Sequence, residues 1–185
     1  MRKYNDPKKH VMRRKKKSIT LKLGRPMYKF KKEQWIGIDS EKIWEFFSDP
    51  NNLGKIMPPE MGIEVKGIVA NRISAGQIIE YKVRVPILGR KKWVTEIKEI
   101  SKTSFTDIQK VGPYKSWEHK HTVKAEREGT RLIDEIQYEL PLGILGKIGN
   151  KWLVTRSLEK IFGYRMVAIG KLFGQEKSNL MGEND

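Results

Sequence analysis

Two histidines stand two positions apart, at His119 and His121, in a segment where bulky apolar residues alternate with polar ones. Successive side chains of a β-strand point to opposite faces of the sheet, so both imidazoles would share a face with Trp117 and Val123. The opposite face, which suits water, would carry Glu118, Lys120, Thr122 and Lys124. We therefore expect both imidazoles to point into the protein.

The two neighbouring predicted strands bring further polar side chains to inward faces. On the preceding strand, Asp107 and Gln109 share a face with Phe105, and on the following strand Asp134 and Tyr138 share a face. The sequence thus predicts a polar cluster in an otherwise apolar wall, composed of Asp107, Gln109, His119, His121, Asp134 and Tyr138.

Three interpretations of this cluster remain open, because buried polar groups cost free energy unless they find partners. In the first, the carboxylates accept hydrogen bonds from the imidazoles in a self-contained structural network. In the second, the same groups orient a bound ligand. In the third the protein is an enzyme, and His119 or His121, tuned by Asp134, transfers a proton as a catalytic group.

Metal binding is a further possibility, since histidine and aspartate are residue types that hold zinc or iron. The two histidines are suitably spaced, but no third strong ligand is evident by spacing, and the chain has no cysteine. The sequence therefore predicts neither a metal nor a cofactor.

The net charge of +16 is concentrated at one end of the chain. Residues 1–26 hold eleven Lys or Arg against one acid, while the other residues are close to an ordinary balance. Such a self-repelling segment cannot bury enough apolar surface to fold, so we expect a disordered tail. An alternative is that translation starts at Met27 and the tail is an error of gene prediction.

From Met27 onward the pattern predicts one domain over residues 27–174, followed by a frayed end over 175–185. A strand over 28–36 precedes a helix that is capped by Asp39 or Ser40 and stopped by Pro50. A short second helix over 52–57 follows. Turn residues then separate six further predicted strands, over 63–70, 77–85, 92–100, 104–110, 117–124 and 130–140.

A long amphipathic helix of about seven turns is predicted near the carboxyl end, from Ile148 to Phe173, with Gly174 as its stop. An antiparallel sheet must cover its apolar face, and this helix is the largest cover available. A sheet curled around one helix leaves a pocket. We expect the pocket to be lined by Trp93, Phe105, Asp107, Gln109, Trp117, His119, His121, Asp134, Tyr138, Trp152, Phe162 and Met166.

The chain resembles the START-like superfamily, also called SRPBCC or helix-grip, and within it the ligand-binding subfamily related to polyketide cyclases and dehydrases. The resembling segments are WEFFSDPNNL at 44–53, MPP at 57–59, WVTEI at 93–97, FTDIQKVGPY at 105–114, WEHKH at 117–121, GTRLID at 129–134, YELPLG at 138–143 and IFGYR at 161–165. The resemblance implies an α+β fold in which about seven antiparallel strands grip a carboxy-terminal helix, with two short helices after the first strand. It also implies a hydrophobic cavity but no particular ligand.

We therefore predict a domain that binds a small, largely apolar molecule, such as a lipid, isoprenoid or polyketide. The alternative is a lyase or isomerase of the cyclase or dehydratase type, working without metal through His119, His121 and Asp134. A third possibility is binding of nucleic acid or an anionic membrane through residues 2–25, which release counterions on contact with polyanions. No run of about 18 apolar residues occurs, so we expect a soluble, cytoplasmic protein of unspecified oligomeric state.

Overall fold

The fold was obtained as a computed structural model, which describes residues 26–85, 88–141 and 151–174. The predictions of a disordered basic tail, a later translation start and a frayed carboxyl end lie outside these residues, as does the polyanion-binding alternative.

Seven strands form one antiparallel sheet within the described residues. They are β1 (Tyr28–Ile36), β2 (Glu64–Lys66), β3 (Ile78–Val85), β4 (Gly89–Ile100), β5 (Ser104–Val111), β6 (Ser116–Glu126) and β7 (Gly129–Glu139). The order across the sheet is β1-β7-β6-β5-β4-β3-β2, so β1 returns to pair with the last strand while β2 to β7 form a meander. The predicted helix-grip sheet is confirmed.

Side-chain alternation along β6 and β7 places one set of residues inward, as the sequence predicted. On β6 the buried positions are Trp117, His119, His121 and Val123. On β7 they are Thr130, Leu132, Asp134, Ile136 and Tyr138. The two strands run in register, with His121 opposite Asp134, so the polar side chains of both inner faces meet near the middle of the sheet.

Two short helical regions follow β1. Helix α1 (Ser40–Phe47) is capped by Asp39, whose Oδ1 accepts a hydrogen bond from the Glu41 N–H at 2.7 Å. The second helix was predicted over 52–57, but it is instead a 3-10 helix over Pro50–Ile56, with a further 3-10 turn at Pro59–Met61. Proline suits the first helical position because its missing N–H has no intrahelical partner there, so the helix starts earlier than predicted.

The predicted strand over 63–70 is too long. Only Glu64–Lys66 pairs with β3, and the chain leaves the sheet at Gly67, whose φ is +77°. A positive φ is accessible to glycine without steric cost and is incompatible with the extended backbone of a strand. The short β2 therefore forms one edge of the sheet.

Helix α2 (Lys151–Leu172) crosses the concave face of the sheet. It ends just before Gly174, which adopts φ +78°, so the predicted stop is confirmed. The predicted start at Ile148 lies outside the described residues. Within the range that the structure covers, no helix is long and apolar enough to cross a membrane.

Irregular pairing bends the sheet where the cavity lies. The β4–β5 ladder shifts register between Val94 and Thr95 and again between Ile97 and Glu99. Such irregularities increase local twist and allow a sheet to curl. The buried apolar residues accordingly divide into clusters, one around Phe162 and Tyr138 beneath α2 and another around Ile79 and Phe105 toward the far strands.

Gly129 offers a test of how closely β7 packs against the end of β1. A Cβ at this position would collide with the Ile36 carbonyl oxygen and lie 2.8 Å from the Trp35 ring. We expect Gly129→Ala to lower the free energy of unfolding by about 1–3 kcal/mol through overpacking, measured by urea denaturation.

The matched control is Gly163→Ala in α2, where a Cβ meets nothing within 4 Å. Alanine favours a helix over glycine, so this variant should gain about 0.5–1 kcal/mol. Shifts of equal size and sign in both variants would contradict the packing described for Gly129.

Candidate ligand-binding site

A cavity of about 230 Å³ separates α2 from the strands that curl beneath it. Most of its wall is apolar and comes from three parts of the chain: the short helices, the strands β3 to β7, and the inner face of α2. These apolar residues include Phe46, Phe47, Leu53, Ile56, Met57, Met61, Ile79, Val83, Val85, Trp93, Ile97, Phe105, Trp117, Val154, Leu158, Ile161 and Phe162.

The buried polar groups of the wall form one cluster, while Asp49, Asn52 and Ser157, which are only partly buried, line it elsewhere. Asp107, His119 and His121 face the cavity from β5 and β6, with Thr95 beside them on β4 and Arg165 above them on α2. Both histidines are buried to more than nine-tenths. An apolar pocket with a small convergent polar group is the usual form of a small-molecule site.

Asp134 lies behind this polar group and holds it in position. Its Oδ1 is 2.9 Å from His119 Nε2, in a buried hydrogen bond, and 3.5 Å from Arg165 Nη1. Arg165 is itself fixed between two aromatic rings, at 4.9 Å from the centre of Phe47 and 5.4 Å from that of Phe162. An ionised carboxylate can only accept hydrogen bonds, so His119 must carry its proton on Nε2.

His121 lies between two carboxylates. Its Nε2 is hydrogen-bonded to Asp107 Oδ2 at 3.1 Å, and its Nδ1 lies 2.8 Å from Asp134 Oδ1. The second contact is close but not aligned as a hydrogen bond, which leaves Nδ1 as a buried atom without a hydrogen-bond partner. Phe105 stacks on the imidazole, with ring centres 4.3 Å apart, so the ring has little room to turn.

Thr95 completes the cluster on the cavity side of Asp107. Its hydroxyl oxygen lies 3.0 Å from Asp107 Oδ1 and 3.1 Å from the Ile108 carbonyl oxygen. A hydroxyl has one proton to donate, so these two acceptors share it. Asp107 is thus held on one oxygen by Thr95 and on the other by His121.

The pKa values of both carboxylates are lowered, because their neighbours outweigh the effect of burial. Burial alone would raise the pKa of Asp134, but Arg165 and the two imidazoles outweigh it and hold this pKa well below its usual range. For Asp107 as well, burial would raise the pKa, but the hydrogen bond from His121 and the imidazole charges lower it. Both carboxylates are therefore ionised at neutral pH.

The pKa values of the two histidines shift in opposite directions. Burial lowers the pKa of His119, and the charge on His121, whose ring centre is only 3.7 Å away, lowers it further. Burial would also lower the pKa of His121, but its hydrogen bond to Asp107 and its contact with Asp134 outweigh that effect and raise it. His119 is thus the less basic imidazole, and His121, flanked by two carboxylates, is the one that takes up a second proton more readily.

Seven of the twelve residues predicted to line the pocket do so: Trp93, Phe105, Asp107, Trp117, His119, His121 and Phe162. The other five lie off the cavity wall. Asp134 and Tyr138 are buried behind it, and Trp152 is exposed on the outer side of α2. Gln109 instead holds the β5–β6 turn, with its side chain bonded to the Tyr114 backbone at 2.8 Å, and Met166 accepts a hydrogen bond from Gln34 through its carbonyl.

Sequence reasoning missed several polar residues of the cavity wall, among them Thr95 and Tyr81. Thr95 sits in a run of strand residues where nothing distinguishes it from a surface threonine. Tyr81 lines the cavity from β3, and burial raises the pKa of its hydroxyl. Arg165, from the IFGYR segment of α2, is the cationic partner of Asp134.

Comparison with solved structures identifies the architecture. Protein Ms6760 from Mycobacterium smegmatis aligns with a TM-score of 0.57 and 18% identity, covering 79% of this chain and 90% of that one. Ginseng major latex-like protein 151 from Panax ginseng aligns with a TM-score of 0.61 and 16% identity, over 81% and 99%. The chain has the START-like helix-grip fold. No protein-family model matches the sequence, and no curated protein does.

An enzyme also shares this helix-grip fold. Norcoclaurine synthase from Thalictrum flavum, in complex with dopamine and hydroxybenzaldehyde, aligns with a TM-score of 0.57 and 14% identity, covering 83% of this chain and 90% of that one. At these identities the likeness concerns the fold alone. The residues of the cavity must carry any argument about function.

The buried Asp134–Arg165 contact allows a quantitative test. Asp134→Leu leaves the guanidinium buried without a carboxylate, and Arg165→Met leaves the carboxylate without its cation. We expect each single variant to lose about 3–5 kcal/mol of unfolding free energy, since removing one partner strands the other charge.

The double variant Asp134→Leu/Arg165→Met should lose less than the sum, with a coupling of about 1–3 kcal/mol. Urea unfolding of the four proteins gives the cycle. Additive losses would mean that the two side chains do not interact as described.

Proposed function

We propose that this domain binds a small, largely apolar molecule in the cavity, with a polar group of that molecule directed at Asp107, His119 and His121. The observation that carries the proposal is the distribution of side chains in the cavity wall, which is mostly apolar and has its buried polar groups gathered in one cluster. A ligand with the same division would exchange water for apolar contact along most of its surface. Its polar group would meet donors and acceptors that are already held in place.

The cavity volume narrows the class of ligand. An engineered apolar cavity of about 150 Å³ is large enough for benzene. The present cavity, of about 230 Å³, accommodates a compact molecule somewhat larger than a single ring rather than an extended acyl chain. Among the ligands predicted from sequence, this favours a compact isoprenoid or polyketide-like ring over a long-chain lipid.

Aromatic side chains favour a ring system as well. The Trp93 and Trp117 rings meet edge to face, 5.5 Å apart, and Tyr114 packs against both, with centres at 5.8 and 4.7 Å. All three line the cavity. Flat faces and edges of this kind pair well with a planar or cyclic ligand.

The polar end supports selective recognition. Thr95 and His121 hold Asp107, Asp134 holds His119, and Arg165 holds Asp134, so the groups facing the cavity are ordered before a ligand arrives. Preorganised groups lose less entropy on binding. A ligand hydroxyl or carbonyl placed here would be distinguished from an analogue that lacks it, since the buried groups would then be left unpaired.

The enzyme alternative is favoured by one observation: both imidazoles reach the cavity beside carboxylates, where a general acid or base would have to stand. Norcoclaurine synthase offers an example of an enzyme with this fold. A turnover that is lost in His119→Gln but kept in an exposed-site variant would favour catalysis over simple binding.

The binding proposal is tested by filling the cavity. Val154 on α2 lines it, whereas Val167 on the same helix is 54% exposed. The probe is 8-anilinonaphthalene-1-sulfonate, which has apolar rings and one anionic group. We expect Val154→Trp to weaken its affinity at least about tenfold, because a loss of about 1.4 kcal/mol of binding free energy already raises Kd tenfold. Probe fluorescence measures the affinity.

The matched control, Val167→Trp, should bind the probe as the wild type does. Equal affinity in the wild type and both variants would place the probe elsewhere and contradict the proposal. Extraction of the wild type from its own source, followed by mass spectrometry, then identifies the natural ligand as an adduct that Val154→Trp lacks.

A further inference from the structure

We propose that Asp107, His119 and His121 form a binding site for a divalent transition-metal ion at the polar end of the cavity. This inference goes beyond ligand binding and does not depend on it, because the ion would bind whether or not the cavity holds an organic molecule.

The three side chains bring their ligand atoms together. One ring nitrogen from each histidine and one Asp107 oxygen all lie within 4.8 Å of one another. The His121 Nε2 to Asp107 Oδ2 distance is 3.1 Å. Two ligands bonded to one zinc ion at about 2.0–2.2 Å stand about 3.0–3.5 Å apart, so this pair already has the separation that an ion requires.

Strand register supplies the third ligand that spacing along the chain did not reveal. In the β5–β6 ladder, Asp107 stands directly opposite His119, and Phe105 stands opposite His121. Asp107 thus faces the same interior as both imidazoles, directly across from His119 and diagonal to His121. Side chains on facing positions of neighbouring antiparallel strands lie about 4.5–5.5 Å apart at Cβ, within reach of a shared ion.

Asp134 acts as the outer partner that a metal-bound histidine normally has. Histidine ligands usually donate their second ring N–H to a carboxylate, which fixes the tautomer and the ring orientation. Asp134 accepts that hydrogen bond from His119 Nε2 at 2.9 Å, which leaves the lone pair of Nδ1 for an ion. Arg165 keeps Asp134 in place from the other side.

Two imidazoles and one carboxylate select a particular class of ion. This set suits zinc, ferrous iron or cobalt better than magnesium or calcium, which prefer oxygen ligands alone. Three protein ligands leave further coordination positions open. Since all three side chains line the cavity, an oxygen atom of a bound organic molecule could fill an open position.

The local charges accommodate a dication. The cluster holds two carboxylates, Asp107 and Asp134, against one guanidinium, that of Arg165. The ion would replace the proton that His121 Nε2 shares with Asp107, and that proton would leave to solvent. A divalent ion bound to the two neutral imidazoles would then leave a single positive charge in the cluster. The fourth ligand would therefore be an anionic or strongly polarised oxygen, such as a carboxylate, an enolate or hydroxide.

The test uses the full chain without an affinity tag, freed of metal by chelation and titrated with Co²⁺. The chain has no cysteine and only three histidines, of which His10 lies far from the cluster in sequence. We expect one equivalent of cobalt to produce the visible absorption of a four- or five-coordinate ion, and zinc to displace it. His10→Gln should bind in the same way.

Variants assign the ligands. Asp107→Asn and His121→Gln should each weaken cobalt affinity more than 100-fold, and Asp134→Asn by about 10–100-fold, as expected for an outer partner. Asp49→Asn is the matched control, because Asp49 also lines the cavity but lies outside the cluster. Its affinity should equal that of the wild type.

Two results would overturn the proposal: absence of the cobalt absorption in the wild type, or equal affinity in Asp107→Asn and the wild type. Circular dichroism establishes that each variant is folded. Probe binding in metal-free protein is measured in parallel, so that a failure of the metal site is told apart from a failure of cavity binding.

Discussion

The structure depends on one constraint: Asp134 is a charged group buried between the sheet and its covering helix, and it must be paired. Its Oδ1 meets His119 and His121 from β6 and Arg165 from α2. Burying a carboxylate without partners would cost several kcal/mol. Because the partners come from different elements, satisfying Asp134 also fixes where α2 lies across the sheet and how β6 presents its side chains. Lys32 with Glu159, and Gln34 with the Met166 carbonyl, tie the same helix to β1.

The cavity follows from that placement. Held to β7 by Arg165 and to β1 by the contacts above, α2 covers the half of the sheet formed by β1, β7 and β6. The far half, β3 to β5, curls at the irregular β4–β5 pairing, and the short helices after β1 close over it. The space between is lined mostly by apolar residues, and the partners of Asp134 reach through its wall beside Asp107 and Thr95. One cluster thereby stabilises the fold and forms the polar end of the site.

Much of this arrangement was predictable from local patterns. Period-two alternation predicted the inward faces of β6 and β7, and hence both histidines, because alternation depends only on neighbouring residues. Alternation could not predict which partner each side chain contacts in the folded protein. Gln109 lies on the inward-facing side of β5 by alternation, but its side chain hydrogen-bonds within the β5–β6 turn instead. Trp152 has an apolar side chain but faces outward beside Arg156. Thr95 enters the cluster through strand register and a bulge, and neither is visible in sequence spacing.

The central claim is that the cluster is ordered and unequally charged, with Asp134 fixing the proton of His119 and two carboxylates flanking His121. Long-range ¹⁵N–¹H correlation of the imidazole nitrogens in metal-free protein at neutral pH tests it most directly. We predict a His119 with its proton on Nε2, and a His121 that is doubly protonated to a greater extent than His119, in keeping with the opposite directions of their pKa shifts. Two neutral histidines that exchange between tautomers, as exposed imidazoles do, would contradict the account.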